Sequence, residues 1–332
     1  MVSERLRVGL TMGDAAGIGP ELCLRVLSDE GVRQSCDPVV FGSAGILQRV
    51  AAGLGLAMPA VVGFDGWSDV LGSGGGIVDC GRLAADEVVP GRVQAECGAA
   101  AYEFVKVAVG AAQAGEVSSI VTAPLNKAAL HLAGVGYAGH TEMLADLTST
   151  PDYCMMMAAD EVRVCLVTTH VALGEVAAAI SSERILKVIE LANLLPVERG
   201  GGRRPHLTVC GLNPHAGEAG AFGDDEARVI VPAIERARAL GADIEGPLPP
   251  DTAFMPVVRE RTDAYIVMYH DQGLIPFKML AFDEGVNVTL GLPLVRTSPD
   301  HGTAFDIAWE GLASASSILA AVRMALALSK QA

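Results

Sequence analysis

The segment DAYIVMYHDQGLIPFK (263–278) begins with an apolar run and continues into a histidine, an acid, an amide and, further on, a lysine. The apolar run does not alternate with polar residues, which predicts a strand buried on both faces of a sheet. The same pattern recurs along the chain. We predict strands at residues 6–12, 38–42, 76–80, 118–123, 154–159, 162–169, 206–212, 263–269 and 286–292. Strands of this kind are typical of parallel sheets in α/β proteins.

Helical patterns lie between these strands. We predict helices at residues 95–114, 182–195, 225–240 and 315–329. Strands that alternate with helices predict a mostly parallel sheet and an α/β fold class. The segment 154–169 is an exception, because its two strands are too close in sequence for a crossover connection and must form a hairpin.

Length and composition limit the class of protein. The chain has 332 residues, of which 51% are hydrophobic, so we expect two lobes with ample cores. The formal net charge is -15, and no run of Lys and Arg offers a footprint for nucleic acid. The seven cysteines are widely spaced without a CxxC pair, which predicts reduced thiols in a cytoplasmic protein. We expect neither a signal peptide nor a membrane span, because no apolar run approaches about 20 residues.

Three histidines share one sequence context, since His170, His215 and His270 each follow a predicted strand. Ligands of open α/β sheets bind at the carboxyl ends of the strands, and imidazole is a common ligand of zinc and related ions. The pattern favours a catalytic metal site with three protein ligands and an open position. The wide spacing matches no short metal motif. For any one of the three, a hydrogen-bonded structural role is the alternative.

Two regions carry groups suited to an anion. GHTEMLAD (139–146) places His140 and Thr141 at the start of a predicted helix, where backbone N–H groups attract negative charge. The stretch 277–308 sets three polar groups among apolar residues: Lys278, Asn287 and Arg296. We interpret these groups as ligands of a phosphate or carboxylate. The alternatives are a simple N-cap in the first region and pairing with nearby acids in the second.

The segment MGDAAGIGPEL (12–22) follows the first predicted strand. Gly17 and Gly19 permit a tight turn, and Pro20 suits the first position of a helix. The third glycine of a dinucleotide fingerprint is absent, because Leu22 occupies that position. We therefore predict a strand-to-helix turn rather than a standard Rossmann site.

Nine motifs occur in order from about residue 6 to the C-terminal helix. They are GDAAGIGPE, TAPLNK, GHTEMLA, TTHVAL, NPHAGE, GPLPPDT, YHDQG, VNVTLGLP and RTSPDHGTAFDIA. Together they resemble the 4-hydroxythreonine-4-phosphate dehydrogenase (PdxA) family of the isocitrate and isopropylmalate dehydrogenase superfamily. The resemblance implies an isopropylmalate dehydrogenase-like three-layer α/β/α fold of two subdomains with a cleft between them. Residues 1–125 with 293–332 would form the terminal, cofactor-side subdomain, and residues 126–292 the central subdomain for metal, substrate and dimerisation.

The resemblance also implies roles for individual residues. The implied metal ligands are His170, His215 and His270. The implied substrate contacts are His140, Thr141, Lys278, Asn287 and Arg296. The superfamily loop that holds the adenosine end of the cofactor implies cofactor contacts at His301, Gly302, Thr303 and Asp306. The expected cofactors are NAD or NADP and a divalent metal, zinc first, with cobalt or magnesium as alternatives. A homodimer is also implied, with one metal-binding histidine, expected to be His270, contributed by the partner subunit.

The implied reaction is NAD-dependent, metal-assisted oxidation, with decarboxylation, of a phosphorylated hydroxy acid. The first expected substrate is 4-phosphooxy-L-threonine. Some motifs look closer to a second, catabolic branch, which implies 4-phospho-threonate or 4-phospho-erythronate as the alternative. A metal-dependent phosphohydrolase is a further alternative. We expect Asp251 or Lys127 to serve in proton transfer, because each is a charged loop residue in a matched motif.

The cofactor region departs from the family pattern. The family commonly has DIAGxG where this chain has DIAWEG, so Trp309 and Glu310 replace a glycine and its neighbour. A bulky indole would stack on, or crowd, the adenine, which leaves the choice between NAD and NADP open. Ala15 stands where the family commonly has proline, and we expect no consequence.

Overall fold

The computed structural model describes residues 5–70, 74–81, 83–137, 139–197 and 203–330. The chain folds as two compact units of α/β type. The terminal unit consists of Met1–Pro151 and Leu292–Ala332, and the central unit consists of Asp152–Gly291. Residues 126–151 thus belong to the terminal unit, whereas the sequence analysis assigned them to the central subdomain. The roles of the subdomains and the cleft stay predictions.

The terminal unit contains parallel strands in the order β3-β4-β2-β1-β5-β12. They are β1 (Arg7–Thr11), β2 (Asp37–Gly42), β3 (Val61–Gly63), β4 (Gly76–Asp79), β5 (Ser119–Thr122) and β12 (Val295–Pro299). The helices are α1 (Gly19–Ser28), α2 (Glu30–Ser35), α3 (Ala44–Leu54), α4 (Trp67–Val70), α5 (Ala95–Gln113), α6 (Lys127–Leu132), α7 (His140–Leu147) and α14 (Ser316–Ser329). Both α6 and α7 pack against α5, which explains why residues 126–151 belong to this unit.

The central unit contains strands in the order β11-β6-β7-β10-β8-β9. They are β6 (Cys154–Ala158), β7 (Arg163–Leu166), β8 (His206–Cys210), β9 (Asp243–Leu248), β10 (Ala264–Val267) and β11 (Val286–Leu290). The helices are α8 (Val176–Ala179), α9 (Ser182–Ala192), α10 (Val231–Ala239), α11 (Pro250–Ala253), α12 (Pro256–Arg259) and α13 (His270–Ala281). Strands β7, β10, β8 and β9 are mutually parallel, whereas β6 runs antiparallel to both β7 and β11.

The structure confirms the α/β class, each predicted strand and the predicted hairpin of β6 and β7. Most of these strands are one to four residues shorter than predicted. Residues 225–240 form a π-helical turn at Glu226–Ile230 followed by α10, rather than one regular helix. The sequence analysis missed β3, β9 and β12 and several helices, among them α3, α6 and α13. Strand β12 carries polar residues and a buried arginine, and α13 contains Gly273 and Pro276, both poor helix formers.

Each unit has its own core. In the terminal unit, Phe41 of β2 packs edge-on against Trp67, with 5.4 Å between the ring centroids. In the central unit, Tyr265 of β10 stacks on Phe254 at 4.3 Å, and its hydroxyl donates to the Ala253 carbonyl at 3.0 Å. Full burial of such a ring contributes about 1.5–3 kcal/mol to the free energy of unfolding. The two cores therefore hold the strands of each unit in place. Among the described residues, no helix has the length and apolar character that crossing a bilayer requires.

Candidate active site

The three histidines singled out in the sequence lie at one edge of the central unit. Strands β7, β10 and β8 are neighbours and run parallel, so their carboxyl ends meet at the same edge. His170 follows β7, His215 follows β8, and His270 is the first residue of α13 after β10. This is the edge at which open α/β sheets bind ligands.

His170 and His270 lie close together. Their ring centroids are 6.0 Å apart. Two imidazoles bound to one ion at about 2.0–2.1 Å have centroids about 5–6 Å apart, so this pair fits a shared divalent cation. The Nδ1 atom of His270 is hydrogen-bonded to Asp271 Oδ1 at 2.7 Å, which leaves Nε2 as the ligand atom. A carboxylate in this position is the usual partner of a metal-binding histidine.

His215 lies in a loop of unusual backbone geometry, residues 211–222, called here the His215 loop. Four of its non-glycine residues have φ in the left-handed region: His215, Ala216, Glu218 and Ala219. The His215 ring packs against Phe222 at 5.8 Å. Within the described ranges of this single chain, no three His, Cys, Asp or Glu side chains are grouped to hold one ion. The set of three ligands therefore stays a prediction, as does the contribution of His270 by the partner subunit.

Buried hydrogen bonds tie the three strand ends together. Thr168 Oγ1 donates to the carbonyl of Met268 at 2.7 Å, which joins the end of β7 to the end of β10. Gln272 accepts from the backbone N–H of Met268 at 2.7 Å and donates to the carbonyl of Gly211 at 2.7 Å. The loops that carry the three histidines are thus fixed to one another through Met268 and Gln272.

The terminal unit holds a buried arginine beside a half-buried histidine whose Nε2 atom is buried. Arg296 of β12 is 2% exposed, and its Nη2 donates to Thr122 Oγ1 at 2.7 Å. His140 is the first residue of α7, directly after Gly139. Its Nε2 is buried and has no hydrogen-bond partner among the described residues. A buried polar atom without a partner is costly, so this position favours a ligand that can bind it.

The electrostatics of this pair favour an anion. Burial lowers the pKa of Arg296 to about 9, although the carboxylate of Glu142 acts in the opposite direction. Burial, together with the positive charge of Arg296, holds the pKa of His140 well below its usual value. A bound phosphate or carboxylate would supply negative charge to both groups and hydrogen bonds to the N-terminus of α7. Thr141 is the second residue of that helix.

The other predicted substrate and proton-transfer residues lie on separate elements. Lys278 is exposed on α13, near the Phe282 ring at 5.8 Å and about 12 Å along the helix axis from His270. Asn287 is half-buried on β11. Lys127 is the exposed first residue of α6, and Asp251 is exposed in α11. The roles assigned to them stay predictions.

The predicted cofactor loop packs on the turn that follows β1. Ile18 N donates to the Thr303 carbonyl at 3.0 Å, and a side chain at Gly17 would clash, since its Cβ would lie 2.8 Å from that oxygen. His301 and Gly302 are exposed, and Asp306 is exposed in the 3₁₀ helix Phe305–Ile307. The turn after β1 and the predicted cofactor loop therefore meet at Gly17 and Thr303.

Trp309 fixes the same loop from its other end. Its φ of 65° lies in the left-handed region, which explains why glycine is common at this position. The indole Nε1 donates to the Ala15 carbonyl at 3.1 Å. Arg49 lies over the indole ring at 4.8 Å, while its Nη1 donates to the carbonyls of Ala85 and Val88. The indole therefore packs within the protein and links the loop to α3 and to the turn after β1.

Sequence reasoning missed three buried polar residues that organise these loops. Asp14 is fully buried, and its Oδ1 accepts from Ala16 N at 2.9 Å. Burial raises the pKa of Asp14 to about 6, with the Ala16 N–H acting against that rise. Gln272 was part of the YHDQG motif but received no role. Glu226, in the segment DDEARV, gave no sequence signal because its partners are set by the tertiary fold.

Comparisons of the chain with known proteins identify its family. The family model described as "Pyridoxal phosphate biosynthetic protein PdxA" matches residues 34–325. A 4-hydroxythreonine-4-phosphate dehydrogenase from Desulforapulum autotrophicum is 44% identical over 98% of this chain and 96% of its own length. A D-threonate 4-phosphate dehydrogenase from Salmonella typhimurium is 43% identical over 98% of this chain and 99% of its own.

A solved structure agrees with these sequence comparisons. The 4-hydroxythreonine-4-phosphate dehydrogenase from Klebsiella pneumoniae superposes with a TM-score of 0.89 at 41% identity, and the match covers 99% of both chains. The resemblance inferred from the nine motifs is confirmed. Because the family model and both relatives match nearly the whole chain, this protein belongs to the PdxA family of dehydrogenases.

Proposed function

We propose that the chain catalyses nicotinamide-dependent, divalent-metal-assisted oxidation and decarboxylation of a phosphorylated hydroxy acid. The first candidate substrate is 4-phosphooxy-L-threonine, as in vitamin B6 synthesis. The alternative is 4-phospho-threonate or 4-phospho-erythronate. Relatives with the two kinds of name are almost equally similar, at 44% and 43% identity, so identity does not discriminate between these substrates.

The observation that carries the proposal is the buried pair of Arg296 and His140. Arg296 is 2% exposed and lies near enough to His140 to influence its pKa, and a guanidinium forms strong charge-assisted hydrogen bonds with a phosphate or carboxylate. His140 Nε2 is buried without a hydrogen-bond partner among the described residues, and His140 begins α7, whose first backbone N–H groups favour an anion. A phosphate or carboxylate group satisfies these requirements at once. Thr141 on α7, with Lys278 and Asn287, completes the proposed set of substrate contacts.

The proposed metal ligands are His170, His215 and His270. The hydrogen bond of His270 to Asp271 orients the ring. When bound, zinc, cobalt or magnesium supplies Lewis acidity that lowers the pKa of the substrate hydroxyl. Zinc is the first candidate, because imidazole nitrogens suit it.

The proposed cofactor, NAD or NADP, binds with its adenosine end at His301, Gly302, Thr303 and Asp306. The packing of this loop on the turn at Gly17 and Ile18 supports the proposal, because it holds the loop backbone in one conformation. The substrate carbon gives a hydride to the nicotinamide, and the hydroxyl proton goes to a base of the protein. The β-keto acid then loses carbon dioxide, and a protein acid protonates the carbon. Asp251 and Lys127 are the proposed proton-transfer residues.

The proposed assembly is a homodimer with a shared active site. Helix α13 exposes an apolar row at helical spacing: Ile275 is 60% exposed, Met279 82% and Phe282 72%. Such a row marks an interaction surface. The same helix begins at His270, and one chain alone does not group three metal ligands among its described residues. A second copy of the chain is therefore the proposed partner. We also propose a cytoplasmic location, which the seven free cysteines support.

Turnover assays test the proposed reaction. The protein, loaded with zinc, cobalt or magnesium, is given 4-phosphooxy-L-threonine, 4-phospho-threonate or 4-phospho-erythronate with NAD and NADP separately. Reduced nicotinamide with the amino acid alone supports the first substrate, and reduction with the sugar acids alone supports the alternative. Phosphate release without nicotinamide would replace the proposal with a phosphohydrolase. No reduction with any substrate, despite bound metal, contradicts it.

A further inference from the structure

The buried carboxylate of Glu226 lies against the base of the His215 loop. Glu226 is the first residue of the π-helical turn that precedes α10 and is 5% exposed. Its Oε1 accepts from the backbone N–H of Leu212 at 2.8 Å and of Asn213 at 2.7 Å. Its Oε2 accepts from Asn213 Nδ2 at 3.0 Å. Three donors thus converge on one carboxylate, two residues before His215.

The backbone of the loop packs closely against the carboxylate. A Cβ at Gly217 would lie 2.6 Å from Glu226 Oε2, and a Cβ at Gly211 would lie 3.2 Å from Oε1. The second hydrogen of Asn213 Nδ2 goes to Asp225 Oδ2 at 3.0 Å. The carboxylate is therefore enclosed by the loop that it holds.

The backbone of the loop needs such support. His215, Ala216, Glu218 and Ala219 have φ values of 53°, 51°, 39° and 52°. Residues that carry a Cβ rarely adopt this left-handed region of φ. Where they do, surrounding interactions must hold the backbone in that conformation. Backbone conformations of this kind cluster at functional sites. The hydrogen bonds that the backbone N–H groups of Leu212 and Asn213 donate to Glu226 hold the chain just before this left-handed stretch.

We propose that Glu226 is a positioning residue that holds the His215 loop in the conformation that binds the divalent metal. Its carboxylate fixes the backbone at Leu212 and Asn213, and this sets the direction in which the His215 ring leaves the loop. The proposal rests on the proposed role of His215 as a metal ligand. Glu226 itself does not touch the metal.

The test measures binding of Co²⁺ alone to the full-length protein, by direct titration and by the visible absorption of the bound ion. In Glu226→Gln, the new side-chain NH₂ group faces the Nδ2 group of Asn213, so two hydrogen-bond donors oppose each other. If the Asn213 amide turns over to accept from the glutamine, its oxygen faces the carboxylate of Asp225 and the two acceptors repel. We expect Co²⁺ to bind at least about tenfold more weakly, as changes behind a metal ligand commonly do, with an altered absorption spectrum at saturation. Asn213→Ala keeps both backbone bonds to Glu226 and should show a smaller loss.

Three controls keep the outcomes distinct. Glu235→Gln, on the exposed side of α10, should bind Co²⁺ as the wild type does. Wild-type affinity and spectrum in a folded Glu226→Gln protein would overturn the proposal. Wild-type affinity in His215→Ala would refute the metal assignment itself, and with it the role of Glu226. If Glu226→Gln does not fold, Glu226→Asp decides, because its carboxylate is one methylene too short to reach both backbone N–H groups, and wild-type binding by that variant overturns the proposal.

Discussion

The side-chain amide of Gln272 donates a 2.7 Å hydrogen bond to the carbonyl of Gly211, 61 residues earlier in the chain. The oxygen of the same amide accepts from Met268 N at 2.7 Å. Gln272 is only 7% exposed, so both bonds are shielded from water. Gly211 begins the His215 loop, and Met268 precedes His270 by two residues. One buried amide thus fixes the distance between two candidate metal-binding loops.

Replacing Gln272 with glutamate tests this link with almost no change of shape. The carboxylate can still accept from Met268 N, but it repels the Gly211 carbonyl. We expect the free energy of unfolding to fall by about 1–3 kcal/mol at pH 8, because a buried acceptor loses its donor. Part of the loss should be recovered at pH 5, where a protonated carboxyl can donate. Urea unfolding at both pH values measures the effect, and Gln48→Glu on the exposed face of α3 is the matched control.

Equal stability of the Gln272→Glu protein and the wild type at pH 8 would contradict this account. It would mean that the Gly211 carbonyl finds another donor when the amide is removed.

The sequence predicted nine strands and the strand-end histidines because both depend on local pattern. Buried strands leave apolar runs, and His170 and His270 follow such runs directly. It missed α13 because Gly273 and Pro276 weaken the helical signal, although tertiary packing of Phe277 overrides that weakness.

Contacts between distant residues left no local signal at all. Gln272 and Gly211 are 61 residues apart, and Arg296 and Thr122 are 174 apart. The burial of Arg296 was suggested by its apolar neighbours, but its hydroxyl partner depends on β12 pairing with β5. That pairing is set by the fold.

Arg296→Met should separate stability from function. Burial already disfavours the charged guanidinium, as its lowered pKa of about 9 indicates, so an apolar side chain of similar length should leave stability equal or higher. Loss of charge-assisted hydrogen bonds should weaken binding of the phosphorylated substrate by about 10–100-fold. Calorimetric titration with inorganic phosphate and the substrate KM measure this. Lys106→Met on the exposed face of α5 should change neither, and unchanged phosphate binding by Arg296→Met would remove Arg296 from the site.

Asp14 should make the stability of the terminal unit depend on pH. Its pKa is raised to about 6 in the folded protein, from 3.8, so the folded state holds a proton that the unfolded state has lost between these values. This proton contributes about 3 kcal/mol to the free energy of unfolding below about pH 4, and the contribution is lost as the pH rises through 6. Asp14→Asn should remove this slope. Urea unfolding between pH 4 and 7 measures it, against Asp86→Asn on the surface.

A slope for Asp14→Asn equal to that of the wild type would show that other groups cause the pH dependence. The comparison of slopes is decisive here, since the absolute stability also reflects the hydrogen bond to Ala16 N, which the asparagine oxygen keeps.

Trp309 combines a strained backbone with favourable side-chain contacts, and two substitutions separate them. Trp309→Ala loses the bond to Ala15 and the stacking of Arg49 but keeps the left-handed backbone, so we expect a loss of about 2 kcal/mol. Trp309→Gly loses the same contacts and relieves strain of about 1–2 kcal/mol, so its stability should lie closer to the wild type. Thermal or urea unfolding checks this order. The reverse order would contradict the assignment of strain. Both variants should raise the KM for the nicotinamide cofactor several-fold and leave Co²⁺ affinity unchanged.

Met279→Glu tests the proposed dimer surface on α13. Met279 is 82% exposed in the isolated chain, so the substitution should leave the fold intact but place a charge in an apolar interface. We expect a monomer by light scattering and loss of turnover. Leu240→Glu, at another exposed apolar residue, should remain dimeric and active. A dimeric, active Met279→Glu protein would locate the interface elsewhere.

Mixed dimers test whether His270 serves the neighbouring site. His170→Ala and His270→Ala chains, each inactive alone, are unfolded together and refolded in equal amounts. If the partner subunit's His270 completes each site, half of the dimers are mixed and each has one intact site, which restores about a quarter of wild-type activity. If both histidines serve the site of their own chain, no mixture contains an intact site and activity stays absent. The 6.0 Å separation of the two rings within one chain makes the second outcome a real alternative, and the mixture decides between them.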